Sequence, residues 1–334
     1  MNILSVLLGI AAIGIIALIH ELGHYFFARR AGIRVEELSL GIGPSLLAFR
    51  RGETDYRFRL IPFMAYVRLG EEGEGSLKES SVLSRFFLYI GGAAGNILTG
   101  ILLLTLIGLF HGYLGEEVLV GQTIPDTPAA EVLKPGDRIL SLNGRELQSP
   151  QDFQEKLGSW GAGEAELLIL RDGAEKTLSL NPLLDEATGT YYIGIRFGTQ
   201  PLSLWSSLNS AVRLTGEYIL GTIQLLGGLL TGASGASDNL VGIVGIVAMS
   251  QSFTQQFWDF ILFVAVISLG MGIINLMPIP ALDGGKIILL GLEKLRGKKL
   301  QEETEARITI IGFALLLALM LFTTVNDISR ILGG

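Results

Sequence analysis

The amino-acid sequence predicts a polytopic α-helical membrane protein with four transmembrane helices, a β-hairpin on the cytoplasmic side and an inserted soluble α+β domain. Of its 334 residues, 49% are hydrophobic and only 17% are charged, and the mean hydropathy is +0.50. Soluble proteins are typically about 25% charged, so the composition disfavours a soluble enzyme. Four separate apolar stretches also approach the length of about 20 residues that a helix needs to cross a bilayer.

The four apolar stretches cover residues 3–27, 86–110, 260–277 and 308–325. The first has no Lys or Arg before it and no clear cleavage site, and it runs directly into the sequence HELGH, so we expect a retained transmembrane helix and not a signal peptide. Four crossings place both termini on the same side. The chain then has an N-terminal membrane part (1–110) and a C-terminal membrane part (257–334).

The basic residues predict the orientation of these helices. Ten of the 25 Lys and Arg residues lie between Arg29 and Arg85, and six more lie between Lys286 and Arg307. Because loops rich in Lys and Arg stay on the cytoplasmic side, these two loops are expected to be cytoplasmic. The termini and the segment from His111 to Trp258 are then extracytoplasmic, which fits a multi-pass protein of a bacterial inner membrane.

Charge and cysteine content exclude several kinds of site. The net charge is −7 and no basic run suggests nucleic-acid binding, so nucleic acid is not an expected partner. The apolar stretches make the lipid bilayer the expected surroundings. The chain has no Cys, so any metal must be held by His and carboxylate side chains.

Residues 116–199 are predicted to form one small soluble domain. Short alternating apolar runs are separated by turn signals at Asn143-Gly144 and Asp172-Gly173. Residues 202–256 are predicted to form an amphipathic helix on the outer membrane surface, with Arg213 and Glu217 in its middle, followed by a linker. The Gly- and Ser-rich stretch 227–237 predicts a flexible break, and the pattern leaves the placement of the apolar segment 240–249 open.

The sequence HELGH provides His20, Glu21 and His24 inside the first predicted span. Positions i and i+4 of a helix lie on one face, so both imidazoles can bind one zinc ion while Glu21 reaches a water molecule. These are the only acidic or basic residues of that span, and burying them without partners or metal would cost several kcal/mol. A cluster that faces cytoplasmic water at the helix end is the alternative.

A catalytic zinc ion needs a third protein ligand. The only other histidine, His111, lies at the outer end of the second span, whereas His20 lies near the cytoplasmic side. This difference in depth excludes His111 as the third ligand. Asp283 follows the third span at the cytoplasmic side, after Pro278 and Pro280, which must interrupt the helix. Irregular backbone at membrane depth is tolerated where it lines a cavity, so Asp283 is the predicted third ligand. A simple exit turn is the alternative.

Residues 54–69, TDYRFRLIPFMAYVRL, alternate in places and are divided by Pro62, which predicts a β-hairpin. The pattern alone does not distinguish a hairpin beside the active site from a plain cytoplasmic hairpin.

Three segments resemble one protein family. These segments are HELGH in the first span, NLMPIPALDGG after the third span, and the run from Val120 to Gly144, which resembles a circularly permuted PDZ domain. Together they are similar to the site-2 protease family, specifically to the bacterial regulator of sigma-E protease type. This chain has a single PDZ domain. The resemblance covers nearly the whole chain. GGAAGN at 91–96 differs from the usual pattern because Ala93 stands where Pro is common.

The resemblance implies roles for named residues. His20, His24 and Asp283 would bind one Zn²⁺ per chain, Glu21 would be the general base, and Asn275 would hold substrate or intermediate. The hairpin would re-enter the membrane and pair with an unwound substrate, which makes Tyr66 and Val67 candidate substrate-binding residues. The PDZ groove would take up peptide or unfolded protein ends by strand addition.

The expected function is intramembrane zinc-dependent proteolysis of single-pass membrane proteins, such as anti-sigma factors or signal-peptide remnants, after their outer part has been trimmed. A membrane adaptor that binds peptide ends without cutting them is the main alternative, but it would not need four catalytic-type residues at one depth. A membrane protease that acts on soluble or misfolded proteins is a second alternative.

Overall fold

The computed structural model describes residues 3–70, 73–161, 163–186, 188–231, 242–253 and 256–333. Numbered along the chain, the helices are α1 (Ile3–Arg30), α2 (Val82–Phe110), α3 (Pro128–Val132), α4 (Pro150–Gly158), α5 (Leu204–Thr231), α6 (Ile243–Phe253), α7 (Phe257–Asn275), α8 (Asp283–Arg296) and α9 (Glu302–Gly333). The strands are β1 (Val35–Arg51), β2 (Thr54–Leu69), β3 (Val118–Thr123), β4 (Arg138–Leu142), β5 (Arg145–Glu146), β6 (Ala165–Arg171), β7 (Ala174–Leu180), β8 (Leu183–Asp185), β9 (Thr190–Tyr192) and β10 (Ile195–Phe197).

The chain divides into two units. The first, which we call the membrane unit, comprises Met1–Leu104 and Asn209–Gly334, and the second, the soluble unit, comprises Thr105–Leu208. Four helices are long and apolar enough to cross a membrane: α1, α2, α7 and the part of α9 from Glu303 to Ser329. Their number agrees with the prediction. The third predicted span extended to Met277, but α7 ends at Asn275 because two prolines follow.

Helix α5 carries an exposed ion pair, in which Arg213 Nη1 lies 3.1 Å from Glu217 Oε1. The predicted break at 227–237 is wrong in its first part, because α5 continues to Thr231. Residues 232–241, which include the rest of that break, lie outside the described residues. Helix α6 accounts for most of the segment 240–249, whose place the sequence pattern left open.

Helices α1, α2 and α7 pack closely because small residues lie where they meet. A Cβ atom at Gly23 of α1 would collide with the carbonyl oxygen of Gly91 in α2, and a Cβ at Gly272 of α7 would lie 3.0 Å from the carbonyl oxygen of Ala93. In a membrane, such small residues let helix backbones approach and gain van der Waals contact. This packing places α2 directly behind the HELGH segment.

The predicted hairpin of residues 54–69 is wrong in its pairing. These residues form the single strand β2, whose partner is β1, and the turn between the strands lies at Gly52, where φ is +64°. The parts of β2 before and after Pro62 do not pair with each other, because Leu38 of β1 lies between them and faces both Tyr56 and Val67. Strand β1 was not anticipated from its sequence.

The soluble unit contains a twisted antiparallel sheet with strand order β10-β3-β4-β6-β7, to which β5 adds beside β4. Its core consists of buried apolar side chains from the sheet and from α4, among them Phe153, Leu167 and Ile169. The Asn143-Gly144 and Asp172-Gly173 turns lie between paired strands, and all four residues have positive φ, which Asn, Asp and Gly tolerate best.

A buried ion pair stabilises the soluble unit. The Arg171 guanidinium donates to both carboxylate oxygens of Asp137, at 2.7 and 2.6 Å, and to the carbonyl oxygen of Val132 at 2.8 Å. The backbone N–H of Lys134 also donates to Asp137. Burial by itself would raise the pKa of the Asp137 carboxyl, but these hydrogen bonds favour the ionised form and hold the pKa below its ordinary value.

Candidate active site

The two histidines of HELGH lie one turn apart on α1, and their ring nitrogens converge. His20 Nε2 and His24 Nε2 are 3.1 Å apart. Asp283, at the start of α8, places Oδ2 3.1 Å from each of these nitrogens. Three atoms that can bind a metal therefore surround one point. His20 and Asp283 are each only 6% exposed.

Asp283 reaches this point because the chain is irregular between α7 and α8. Residues 276–282 include Pro278 and Pro280, which cannot continue a helix, and α8 begins at Asp283. Gly284 lies so close to this irregular segment that a Cβ atom would collide with its backbone carbonyl groups. In the Asp-Gly-Gly sequence, Asp283 is therefore a candidate ligand, and Gly284 is small enough to pack against the irregular segment.

Helix α2 forms the wall behind the two histidine rings. A Cβ atom at Gly92 would lie 2.6 Å from His24 Nε2 and 2.7 Å from His20 Nε2, so only glycine leaves room for both rings. One turn earlier, the carbonyl oxygen of Leu88 lies 2.8 Å from His24 Nδ1. A carbonyl oxygen can only accept, so Nδ1 carries the proton and Nε2 offers its lone pair to the point of convergence.

This donor set fits a zinc ion. Zinc at catalytic sites is held by three protein ligands of the His and carboxylate kind, with one position left open. Asp283 Oδ2 is buried and has no hydrogen-bond partner among the described residues, as expected for an oxygen that binds a cation. His111 belongs to the soluble unit.

Glu21 lies beside the candidate ligands, and its carboxylate is within 4.8 Å of the ligand nitrogens of His20 and His24. A cavity of about 300 Å³ opens onto this group. Besides the candidate ligands, its walls include Glu21, Tyr66, Val67, Tyr89, Asn275 and Lys286. All residues that the sequence singled out for the membrane site therefore border one cavity.

Two of these side chains are held by further hydrogen bonds. The Asn275 amide donates from Nδ2 to the carbonyl oxygen of Met271 at 3.0 Å, which leaves its second N–H unassigned. The Tyr66 hydroxyl donates to Glu37 Oε1 at 2.6 Å, and Glu37 is itself buried among arginines, of which Arg59 lies 3.2 Å away. Tyr66 is therefore held in place by the sheet.

Sequence reasoning missed several residues of this site. Gly92 and the Leu88 carbonyl could have been found from the glycine-rich start of α2, since small residues mark close helix contacts. Lys286 lies one turn after Asp283, with Nζ 3.7 Å from Asp283 Oδ1 and 5.4 Å from the centre of the Tyr89 ring. The i, i+3 spacing on a helix was the available signal for Lys286.

Comparisons with known proteins identify the family of this chain. The model of peptidase family M50 matches residues 8–319. The zinc metalloprotease RasP of Bacillus licheniformis is 28% identical to this chain, and the match covers 98% of this chain and 99% of RasP. The RasP protein of Geobacillus kaustophilus is 26% identical, and the match covers 98% of each chain.

Two solved PDZ domains of SdrC-like proteins, from Listeria monocytogenes and Listeria innocua, also match. Each match covers 25% of this chain and 90% or 96% of the solved domain, with 25% and 26% identity and TM-scores of 0.23 and 0.24. Because the family match extends over nearly the whole sequence, this chain belongs to peptidase family M50, the site-2 proteases, and is a zinc metalloendopeptidase.

Proposed function

We propose that this protein cuts single-pass membrane proteins within or beside the bilayer, with one zinc ion per chain held by His20, His24 and Asp283. The observation that carries the proposal is the convergence of three ligand atoms, 3.1 Å from one another, two of them on α1, a helix that can span a membrane, and the third on Asp283 at the start of α8. An adaptor that only binds peptide ends would have no use for this arrangement.

Zinc bound here supplies Lewis-acid chemistry, which polarises a peptide carbonyl and makes water easier to deprotonate. Glu21 acts as the general base that accepts the proton of the attacking water, and it then delivers this proton to the departing amine. The open cavity beside Glu21 has room for the water and for an extended peptide. Asn275 uses its second N–H to stabilise the developing oxyanion, an effect typically worth about 3 kcal/mol.

The edge of the membrane-unit sheet holds the substrate. Within the described residues, the part of β2 from Ala65 to Leu69 pairs only with β1, so its other edge can pair with an extended peptide. Val67 and Glu21 both line the catalytic cavity. A substrate strand added here would pass directly in front of Glu21.

The same sheet re-enters the membrane beside α1. Pro62 of β2 packs against Gly14, which lies six residues before His20 and thus about 9 Å deeper along the helix. Leu60, Ile61 and Met64 around this contact are exposed apolar side chains, as expected for a surface that meets lipid.

The soluble unit acts as a PDZ domain that takes up peptide ends. A cavity of about 390 Å³ lies between α4 and residues 190–197, and its lining includes Phe153, Leu157 and Phe197. The adjacent strand β10 is an edge strand of the sheet, so a peptide can pair with it and extend the sheet beside this apolar lining.

We propose that the catalytic site lies near the cytoplasmic side of a bacterial inner membrane, with both termini and the PDZ domain outside, because loops rich in Lys and Arg stay on the cytoplasmic side. His20 lies about 15 Å from the Arg30 end of α1, which supports this depth. We infer that substrates are trimmed on their outer side before they reach the site, because a PDZ domain selects exposed peptide ends.

The test measures zinc content and cleavage of a trimmed single-pass model substrate in detergent. Wild type is compared with Glu21→Gln and with the matched control Glu303→Gln, which changes an exposed residue of α9. We expect about one zinc per chain in all three proteins and cleavage by wild type and Glu303→Gln only. Wild type that binds zinc but cuts no trimmed substrate would contradict the proposed substrate class, and cleavage by Glu21→Gln would contradict the role of Glu21.

A further inference from the structure

Asn96 is a polar residue inside α2 to which none of the roles above applies. It is 0% exposed, its Nδ2 lies 3.5 Å from His20 Nδ1, and its Oδ1 has no hydrogen-bond partner in the described part of the chain. Buried amide oxygens are nearly always paired, so an unpaired one next to a candidate metal ligand needs a physical explanation.

The orientation of the Asn96 amide determines the tautomer of His20. With Nδ2–H facing the ring, Nδ1 would have to accept, and the ring proton would lie on Nε2. His20 Nε2, however, is the atom that lies 3.1 Å from both His24 Nε2 and Asp283 Oδ2. A protonated nitrogen cannot bind a metal, so this amide orientation is incompatible with ligation by His20.

Rotating the amide by half a turn gives Oδ1 a donor and leaves His20 Nε2 free to bind a metal. The oxygen and nitrogen of an amide have nearly the same shape, so the hydrogen-bond network decides which atom occupies which position. After rotation, Oδ1 faces His20 Nδ1 and accepts its proton, and Nε2 is left with its lone pair. In its original position, Oδ1 has no N–H or O–H group among the described residues from which it could accept a hydrogen bond.

The same arrangement exists at the second histidine. His24 Nδ1 donates to the Leu88 carbonyl oxygen of α2, so both rings would be oriented by an oxygen of that helix. Leu88, Gly92 and Asn96 are spaced by four residues and therefore lie on one face of α2, with Gly92 leaving room for the rings. Ser268 of α7 donates to the Asn96 backbone oxygen at 2.9 Å, so α7 contacts α2 at the same level.

We propose that Asn96 is a positioning residue whose Oδ1 accepts a hydrogen bond from His20 Nδ1 and so fixes the tautomer that presents Nε2 to zinc. The inference rests on the proposed zinc site. Partners of this kind typically change metal affinity about 10–100-fold when removed.

The experiment measures zinc affinity of the full chain in detergent by competition with a chelator, for wild type, Asn96→Asp, Asn96→Leu and Ser268→Ala. Asp keeps an acceptor at the same position, Leu has similar size without one, and the Ser268 variant controls for helix packing. We expect Asn96→Asp to stay within about threefold of wild type, Asn96→Leu to bind about 10–100-fold more weakly, and Ser268→Ala to match wild type. If the Leu variant does not fold, Asn96→Ala takes its place.

A zinc affinity of Asn96→Leu equal to that of wild type would overturn the inference. This holds even if turnover fell, because Asn96 would then act on the substrate and not on the metal. Equal weakening in Asn96→Asp and Asn96→Leu would also overturn it, since the acceptor would be irrelevant. Failure of the zinc site itself is distinguishable, because wild type would then bind no zinc.

Discussion

The carboxylate of Asp327, near the end of α9, accepts a hydrogen bond from the backbone N–H of Gly245 in the first turn of α6, with 2.8 Å between Oδ2 and N. Its other oxygen accepts from the N–H of Gly242 at 3.2 Å. Asp327 is only 3% exposed, so it satisfies two N–H groups of a helix start that water reaches poorly. A negative charge there also interacts favourably with the helix dipole.

Asp327→Ala is expected to destabilise the protein by about 2 kcal/mol, because hydrogen bonds to a buried charge are worth roughly 1.5–3 kcal/mol. Asp327→Asn keeps one acceptor and should lose less. Thermal unfolding in detergent measures the effect, and Glu303→Ala, an exposed change on the same helix, serves as control. Equal melting temperatures for Asp327→Ala and the control would show that this contact contributes nothing to stability.

Gly92→Ala is expected to lower zinc affinity by at least about tenfold, the range known for disturbed metal surroundings. The added Cβ would lie 2.6 to 2.7 Å from the histidine ring nitrogens, so the rings must move and their convergence with Asp283 is disturbed. Gly216→Ala on α5 is the matched control, because nothing lies within 4 Å of its Cβ position. Chelator competition checks both, and unchanged affinity in Gly92→Ala would mean that the rings can shift without losing their convergence.

The sequence was sufficient for those parts of the fold that depend on local pattern. Hydropathy located the four apolar helices, since crossing a bilayer requires one long apolar run. The spacing of His20 and His24 is a property of a single helix turn, and two prolines indicated where the chain becomes irregular before Asp283.

Parts of the fold that depend on distant contacts could not be predicted. Strand β1 contains Gly41, Gly43 and Pro44, which local pattern treats as breakers, and its pairing with both halves of β2 is a tertiary property. Asp327 and Gly245 are 82 residues apart, so no periodic signal links them. Asn96 was overlooked although a polar residue within a span is a general sign of function.

Arg171→Met is expected to destabilise the soluble unit by about 3–5 kcal/mol near neutral pH, because it leaves the buried Asp137 carboxylate without its cation. Fluorescence of Trp160 reports on this unit in a full-length chain in which Trp205 and Trp258 are Phe. Arg145→Met, an exposed change on β5, is the control and should leave the unfolding midpoint nearly unchanged. A midpoint for Arg171→Met equal to that of the control would contradict the stabilising role of the pair.

The same pair predicts a pH dependence. The pKa of Asp137 is lowered in the folded state, so its stabilising contribution is complete above the unfolded-state pKa of about 3.9 and is lost as pH falls further towards the folded-state value. The unfolding midpoint, followed by Trp160 fluorescence between pH 7 and pH 2, should therefore fall at the acid end in wild type. The part of this fall that is due to Asp137 should be absent in Arg171→Met. Parallel curves for the two proteins would assign the acid sensitivity to other groups.

Gly14→Leu is expected to reduce cleavage of a membrane substrate strongly while zinc binding is retained. A side chain at Gly14 would collide with the Pro62 carbonyl, which pushes β2 away from α1 and moves the strand edge that we propose holds the substrate. His20 lies about 9 Å along the helix from this contact, so the ligands keep their positions. Ile15→Phe adds bulk at the neighbouring residue, which is 54% exposed, and should leave both properties unchanged. Loss of zinc in Gly14→Leu would mean that the sheet supports the metal site itself, whereas full cleavage would mean that the substrate does not depend on the edge of β2.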